Sequence, residues 1–84
     1  MRKEYKYTDW VCNQFDAEIF NKFCKRIEKL IPDVQKESLL EDVDGSLYQT
    51  YHHEKGDIFV ICSYSVNEVY FESDFDLDPY FKSA

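Results

Sequence analysis

Residues 69–81 combine acidic and aromatic side chains in one short stretch. They include four carboxylates and five aromatic rings, and the next basic residue is Lys82. Fixed negative charge beside rigid amphipathic rings is typical of a surface that captures a basic protein, because charge steers the encounter and rings supply buried contact area. The sequence therefore predicts binding before it predicts catalysis. The predicted partner-binding residues are Asp42, Asp44, Glu68, Tyr70, Glu72, Asp74, Asp76, Asp78 and Tyr80.

These residues are expected to have two roles. The seven carboxylates present the charge, whereas Tyr70 and Tyr80 act as anchors that fill pockets on the partner. Phe71 and Phe75 are assigned to the hydrophobic core, where truncation to alanine costs about 3 to 5 kcal/mol and reports only on folding.

Residues 42–47 resemble the first motif of the haloacid-dehalogenase phosphatases, in which two aspartates flank a magnesium ion. That family needs a buried parallel strand before the motif and a much larger Rossmann-like domain. Residues 38–41 are too short and polar to be that strand. The favoured interpretation is a turn in which Asp44-Gly45 supplies a left-handed residue.

Asp74, Asp76 and Asp78 have the opening spacing of a calcium-binding loop. Pro79 stands where the sharp-turn glycine belongs, and the bidentate glutamate would fall one position past Ala84, so the EF-hand motif is excluded. Another weak cation site and a solvated acidic edge stay open. A partner-binding edge is the preferred functional interpretation.

A zinc site could be built from His52 or His53 with Cys62. Adjacent strand residues point to opposite faces, so only one of the two histidines can join a given site. With two glycines in the chain, a glycine-rich phosphate loop is excluded. We therefore predict no enzyme, no cofactor and no bound metal, and keep a small enzyme or metal-binding regulator that uses either histidine as an alternative.

The net charge of −7 is unevenly distributed along the 84 residues. Residues 1–36 hold eight basic and six acidic side chains, whereas residues 37–84 hold two and eleven. Direct nucleic-acid binding is disfavoured, because a phosphate-binding face needs clustered Lys and Arg. The length predicts a single domain over residues 1–84. Three widely spaced cysteines, no signal peptide and no membrane-spanning run predict a cytoplasmic protein.

The clearest element is a helix over residues 16–31, where apolar side chains recur at helical spacing. Asp16 suits its N-cap, and Pro32 ends it. Residues 5–15 fit either a strand or a helix, and a second helix beginning near Thr8 or Asp9 is favoured. Residues 33–45 are expected to form a loop and turn.

Three strands are predicted at residues 47–53, 57–64 and 69–73, joined by short hairpin connections. The apolar run at residues 58–62 makes the second strand the central one. The expected fold class is α+β, with an N-terminal helix, or two helices, on one face of a three-stranded antiparallel β-meander. Tyr70 and Glu72 should project from the other face.

Residues 42–46, the Gln49-x-Tyr51 pair that follows, and residues 73–77 resemble segments of small cytosolic immunity proteins, which protect bacteria from contact-delivered toxins. The resemblance implies a stoichiometric inhibitor of a toxin, often a nuclease, that is monomeric alone and heterodimeric with its partner. The acidic surface would imitate the phosphates that a basic nuclease cleft holds. The alternative is an acidic nucleic-acid mimic, or a phage-encoded antagonist, aimed at a nucleic-acid enzyme.

Overall fold

The computed structural model describes residues 4–82, which form an antiparallel β-sheet with one long helix across one face. The sheet has six strands, and a short second helix follows the last of them. In chain order the elements are β1 (Tyr7–Cys12), α1 (Ala17–Leu30), β2 (Gln35–Lys36), β3 (Leu40–Glu41), β4 (Leu47–His53), β5 (Gly56–Ser63), β6 (Glu68–Ser73) and α2 (Asp78–Lys82).

The strand order is β1-β6-β5-β4-β2, and β3 pairs with β4 beside β2. The prediction of a three-stranded meander with an N-terminal helix is therefore wrong. Strands β4, β5 and β6 do occur near the predicted positions, with β5 in the centre. They are only the middle of a wider sheet, because β1 extends it beyond β6 and the short strands β2 and β3 extend it beyond β4.

The prediction of a helix beginning near Thr8 or Asp9 is also wrong, since these residues belong to β1. This strand pairs antiparallel with β6, from Tyr7 opposite Ser73 to Cys12 opposite Val69. Pairing with a strand some 60 residues away is a tertiary preference that local spacing does not contain. The helical spacing of Val11 with later apolar residues was coincidental, because the chain turns between β1 and α1.

The expected loop over residues 33–45 contains β2 and β3, so that prediction is wrong in part. Each strand has two residues, which is too short for any hydrophobic period to reveal. Tertiary hydrogen bonds hold the segment to β4. The Glu37 N–H donates to the Thr50 carbonyl at 3.0 Å, and the Gln49 side-chain amide donates to the Glu37 carbonyl.

Helix α1 confirms the predicted helix and its N-cap. The Asp16 carboxylate accepts hydrogen bonds from the backbone N–H groups of Glu18 and Ile19, which satisfies donors that have no partner inside the helix. The buried side of α1 carries Phe20, Phe23, Cys24 and Ile27.

The core lies between α1 and the face of the sheet beneath it. Phe23 stacks on Phe71 with ring centroids 5.1 Å apart, and the buried Tyr51 hydroxyl donates to Glu28 Oε2 at 2.6 Å. After β6 the chain returns to this side, where Leu77 is buried and Phe81 contacts Phe23. Phe71 and Phe75 pack against the core, as predicted.

Side-chain alternation along the strands defines a second face, opposite α1. We call it the helix-free face, since within residues 4–82 both helices lie on the other side. Neither of these two helices is long and apolar enough to cross a membrane.

Candidate functional site

A row of large side chains crosses the helix-free face from one edge of the sheet to the other. Its members sit directly opposite one another in successive strand pairings, so each lies beside the next across the sheet. We call this set the aromatic row. From β3 through β4, β5 and β6 to β1, it consists of Leu40, Tyr48, Ile61, Tyr70 and Trp10.

The members of the aromatic row are most exposed at its two ends. Trp10 is 54% exposed and Leu40 is 63% exposed, whereas Ile61 is only 2% exposed between the two tyrosines. Neighbouring strands lie about 4.8 Å apart, so the five positions span roughly 19 Å. Large exposed side chains at both ends of a row, on a sheet face that neither described helix covers, suit an interaction site.

Ring stacking fixes the aromatic side chains of this face. Tyr48 and Phe59 stack with centroids 5.8 Å apart and planes within 8°, and Tyr5 covers the other side of Phe59 at 6.1 Å. Trp10 lies against Tyr70 at 6.4 Å. Rings that are already ordered lose little entropy when a partner binds, which suits them to act as anchors.

The charges on the helix-free face are acidic. Strand alternation places Asp57, Glu68 and Glu72 on it. Among the described strand residues that point to this face, none is Lys or Arg. The cations of α1 lie on the opposite side, where Arg26 stacks over Phe81 at 4.9 Å. The two faces of the sheet therefore differ in charge.

Three of the predicted binding residues, Glu68, Tyr70 and Glu72, lie together on the helix-free face. All three belong to β6 and alternate with Val69, Phe71 and Ser73, which face α1. The structure brings Tyr70 into the centre of the aromatic row and places Glu72 directly opposite Phe59.

Asp42 and Asp44 lie at one end of the sheet, in the turn between β3 and β4. Their carboxylates accept hydrogen bonds from the backbone N–H groups of Val43 and Ser46, at 2.7 and 2.8 Å. Hydrogen bonding to Ser46 lowers the pKa of Asp44. The turn interpretation of this motif is confirmed, and Gly45 has the expected positive φ of 93°.

The remaining predicted residues lie at the other end of the sheet, about one strand length away, roughly 20 Å. Asp74 accepts from the Asp57 N–H at 2.8 Å, and Asp76 accepts from the Asp78 N–H at 3.0 Å. Asp78 is also within 3.9 Å of Lys82. These carboxylates lie in α2 and in the segment just before it, at the other end of the sheet from Asp42 and Asp44. The nine predicted residues therefore do not form one patch.

Tyr80 belongs to a separate ring cluster on the α1 side of the sheet end. Its ring meets His53 at 6.3 Å and Phe75 at 6.1 Å, and Lys55 lies over it at 5.4 Å. Tyr80 is therefore far from the aromatic row and forms part of the contact between the C-terminal segment and the β4–β5 hairpin.

The two histidines have different surroundings. His52 lies on the helix-free face, where its Nδ1 is 2.7 Å from Asp57 Oδ1 and its Nε2 contacts Glu37 Oε2. Hydrogen bonds to Asp57 and Glu37 raise the pKa of His52. His53 stacks on Phe75 instead, and Cys62 is buried under α1. The proposed ligand set of a histidine and Cys62 is not brought together.

No cluster of three or more metal-ligating side chains occurs within residues 4–82. The contacts of His52 are those of an imidazole held between two carboxylates. This arrangement ties the segment after β2 to the β4–β5 hairpin, and it can change with pH.

The sequence analysis missed most of the aromatic row. Trp10 falls in a segment that fits either a strand or a helix, Leu40 falls in a predicted loop, and Tyr48 and Ile61 fall in predicted strands. Alternation within the predicted strands could have placed Tyr48 with Thr50, and Phe59 with Ile61. The register that aligns them into one row depends on pairings that no local signal specifies.

Comparisons with protein-family models, with curated proteins and with solved structures find no match to this chain.

Proposed function

We propose that this protein is an immunity protein, a stoichiometric inhibitor that binds and neutralises a basic bacterial toxin domain, most simply a nuclease. The observation that carries the proposal is the aromatic row on an acidic, helix-free sheet face. Binding, rather than catalysis, is the function that such a surface serves, because its parts are contact area and charge.

The row and the carboxylates contribute in different ways. Tyr70 and Trp10 are of the residue types that dominate interface energies, and a central tyrosine contributes about 2 kcal/mol or more. Glu68 and Glu72 attract a cationic surface, which accelerates the encounter and fixes its orientation more than it increases affinity. We keep the anchor role that was predicted for Tyr70. The second anchor role, which was predicted for Tyr80, we give to the other members of the aromatic row.

Charge also argues for a partner of a different kind from the chain itself. Two copies joined through their helix-free faces would bring Glu68 and Glu72 of each against like charges, which is unfavourable. A nucleic acid would meet the same repulsion. We therefore propose a monomer that forms a heterodimer with a basic protein.

We propose a cytoplasmic location, where a toxin that enters the cell would be met. Cys12, Cys24 and Cys62 are unpaired thiols, and burial raises the pKa of Cys24 to about 11. Unpaired buried thiols suit a reducing compartment.

The test is a pull-down from the native organism with the purified protein as bait and identification of the captured protein by mass. We expect one basic toxin domain, whose activity is lost at a 1:1 ratio. The association rate should fall by at least about tenfold between low and high salt, because steering by Glu68 and Glu72 is screened. Capture of a nucleic-acid enzyme that is not a toxin would support the mimic instead, and a salt-independent association would contradict both.

A further inference from the structure

A groove runs along β5 on the helix-free face, with Tyr48 of β4 on one side and Tyr70 of β6 on the other. Its volume is about 470 Å³, and Ile61 forms its floor. The ring of Phe59 closes one end. This end is apolar, so it suits an aliphatic chain or the face of a planar group.

The opposite end of the groove has mixed character. Ser63 and Ser65 line it, with their hydroxyl oxygens 3.3 Å apart, together with the apolar side chain of Val66. Glu68 is directly opposite Ser63 in the pairing of β5 with β6, so their Cβ atoms emerge on the same face about 5 Å apart. The two hydroxyls line this end, and Glu68, on the neighbouring strand, places one negative charge beside it.

We infer that this groove binds an arginine side chain of the partner, a refinement that rests on the proposed function. The arginine stem lies over Ile61 beside Tyr70, and its guanidinium donates to Glu68 and to the serine hydroxyls. Arginine fits better than lysine for two reasons. Its planar head stacks on tyrosine rings, and its five N–H donors can serve a carboxylate and hydroxyls together, whereas an ammonium is a strongly hydrated point charge.

The inference is tested with small probes that need no partner. N-acetyl-arginine amide and N-acetyl-lysine amide are titrated separately into the full chain at low salt, and the methyl signals of Ile61 are followed by NMR. Ile61 is the floor of the groove, so its methyl groups report on occupancy directly. The arginine probe should shift them in a saturable way, and the lysine probe should bind at least about fivefold more weakly.

Glu68→Gln is the matched variant, because it keeps the shape and removes the charge. It should weaken the arginine probe by about fivefold. Glu18→Gln is the control, since Glu18 pairs with Lys22 on the exposed side of α1, away from the groove. It should change nothing. If the Glu68→Gln variant is poorly folded, Ser65→Ala is the second variant, and it should also weaken binding of the arginine probe.

Equal binding of the two probes, unmoved Ile61 methyl signals, or equal binding to the Glu68→Gln and Glu18→Gln variants would overturn the inference. These outcomes are separate from failure of the proposed function. A groove that binds arginine in a protein that captures no toxin would leave the groove in place and remove the inhibitor role.

Discussion

Tyr70 is the residue that most closely links the sequence to the site. Its position in an acidic aromatic stretch predicts a binding role, and its place in β6 sets it between Ile61 and Trp10 in the aromatic row. Tyr80 has the same surroundings in the sequence, yet it packs against His53 and Phe75. Composition therefore identified the stretch, but strand geometry decides which ring lies on the helix-free face.

His52 makes stability depend on pH. When protonated, its imidazolium donates to both Asp57 and Glu37, whereas the neutral ring retains one N–H. The folded-state pKa is raised, so this stabilisation is fully present below the unfolded pKa of about 6.5 and is lost as the pH rises through the higher folded value. The free energy of unfolding of the native chain should therefore fall relative to His52→Gln across this window.

Urea unfolding of both chains at a series of pH values from about 5.5 to 8.5 measures the difference. Glu37→Gln, which removes one acceptor charge, should reduce the pH dependence without abolishing it. A difference between the native chain and His52→Gln that does not change with pH would contradict the assigned role of His52. The side chain is half exposed, so a modest effect is expected.

At the scale of elements, the sequence indicated α1 well and the edges of the sheet poorly. The helix has a wide apolar stripe and an N-cap, both of which are local signals. Strand β1 has mixed local signals and is stabilised by pairing with β6, and β2 and β3 are held by backbone contacts to β4. A strand defined by its neighbours cannot be predicted from its own residues.

The β4–β5 hairpin provides a test at this scale. Gly56 has φ of 138°, and a Cβ there would collide with the Cβ of Asp74, whose carboxylate accepts from the Asp57 N–H. Gly45 also has positive φ, but a Cβ at that position meets nothing within 4 Å. Gly45→Ala should cost about 1 kcal/mol, from backbone strain alone.

Gly56→Ala should cost at least about 1 kcal/mol more than Gly45→Ala, because the backbone near Asp74 must move as well. Denaturant unfolding of the two variants gives the comparison, and their difference isolates the close approach. If the two costs are equal, the segment after β6 adjusts to the added Cβ atom with little loss of free energy and does not stabilise the hairpin.

At the scale of the whole molecule, the sheet separates two different surfaces. One face holds α1, the C-terminal segment and the core, and the other face holds the aromatic row with Glu68 and Glu72. The uneven distribution of charge between the two halves of the sequence indicated this arrangement. In the structure the long helix, whose cations are Lys22, Lys25, Arg26 and Lys29, folds onto the face opposite the row.

The candidate site could be predicted only in part. Glu68, Tyr70 and Glu72 were recoverable, since alternation within a single strand places them on one face. The sequence could not show that Asp42 and Asp44 lie far from Asp74, because this distance depends on which ends of the strands lie together in the sheet. Linear proximity in an acidic sequence is a poor guide to a shared surface once the chain reverses at each hairpin.

If the helix-free face binds the partner, the ring at the centre of its aromatic row controls the dissociation rate of the captured complex. Tyr70→Ala removes the central ring of the row, and Tyr7→Ala removes a ring from the same edge of the sheet but on the face of α1. The thermal unfolding of both variants is measured first, to show that they are equally stable. Loss of about 2 kcal/mol predicts that Tyr70→Ala dissociates about 30-fold faster, with Tyr7→Ala close to the native rate. An unchanged rate for Tyr70→Ala, or an equal increase in both variants, would contradict the claim.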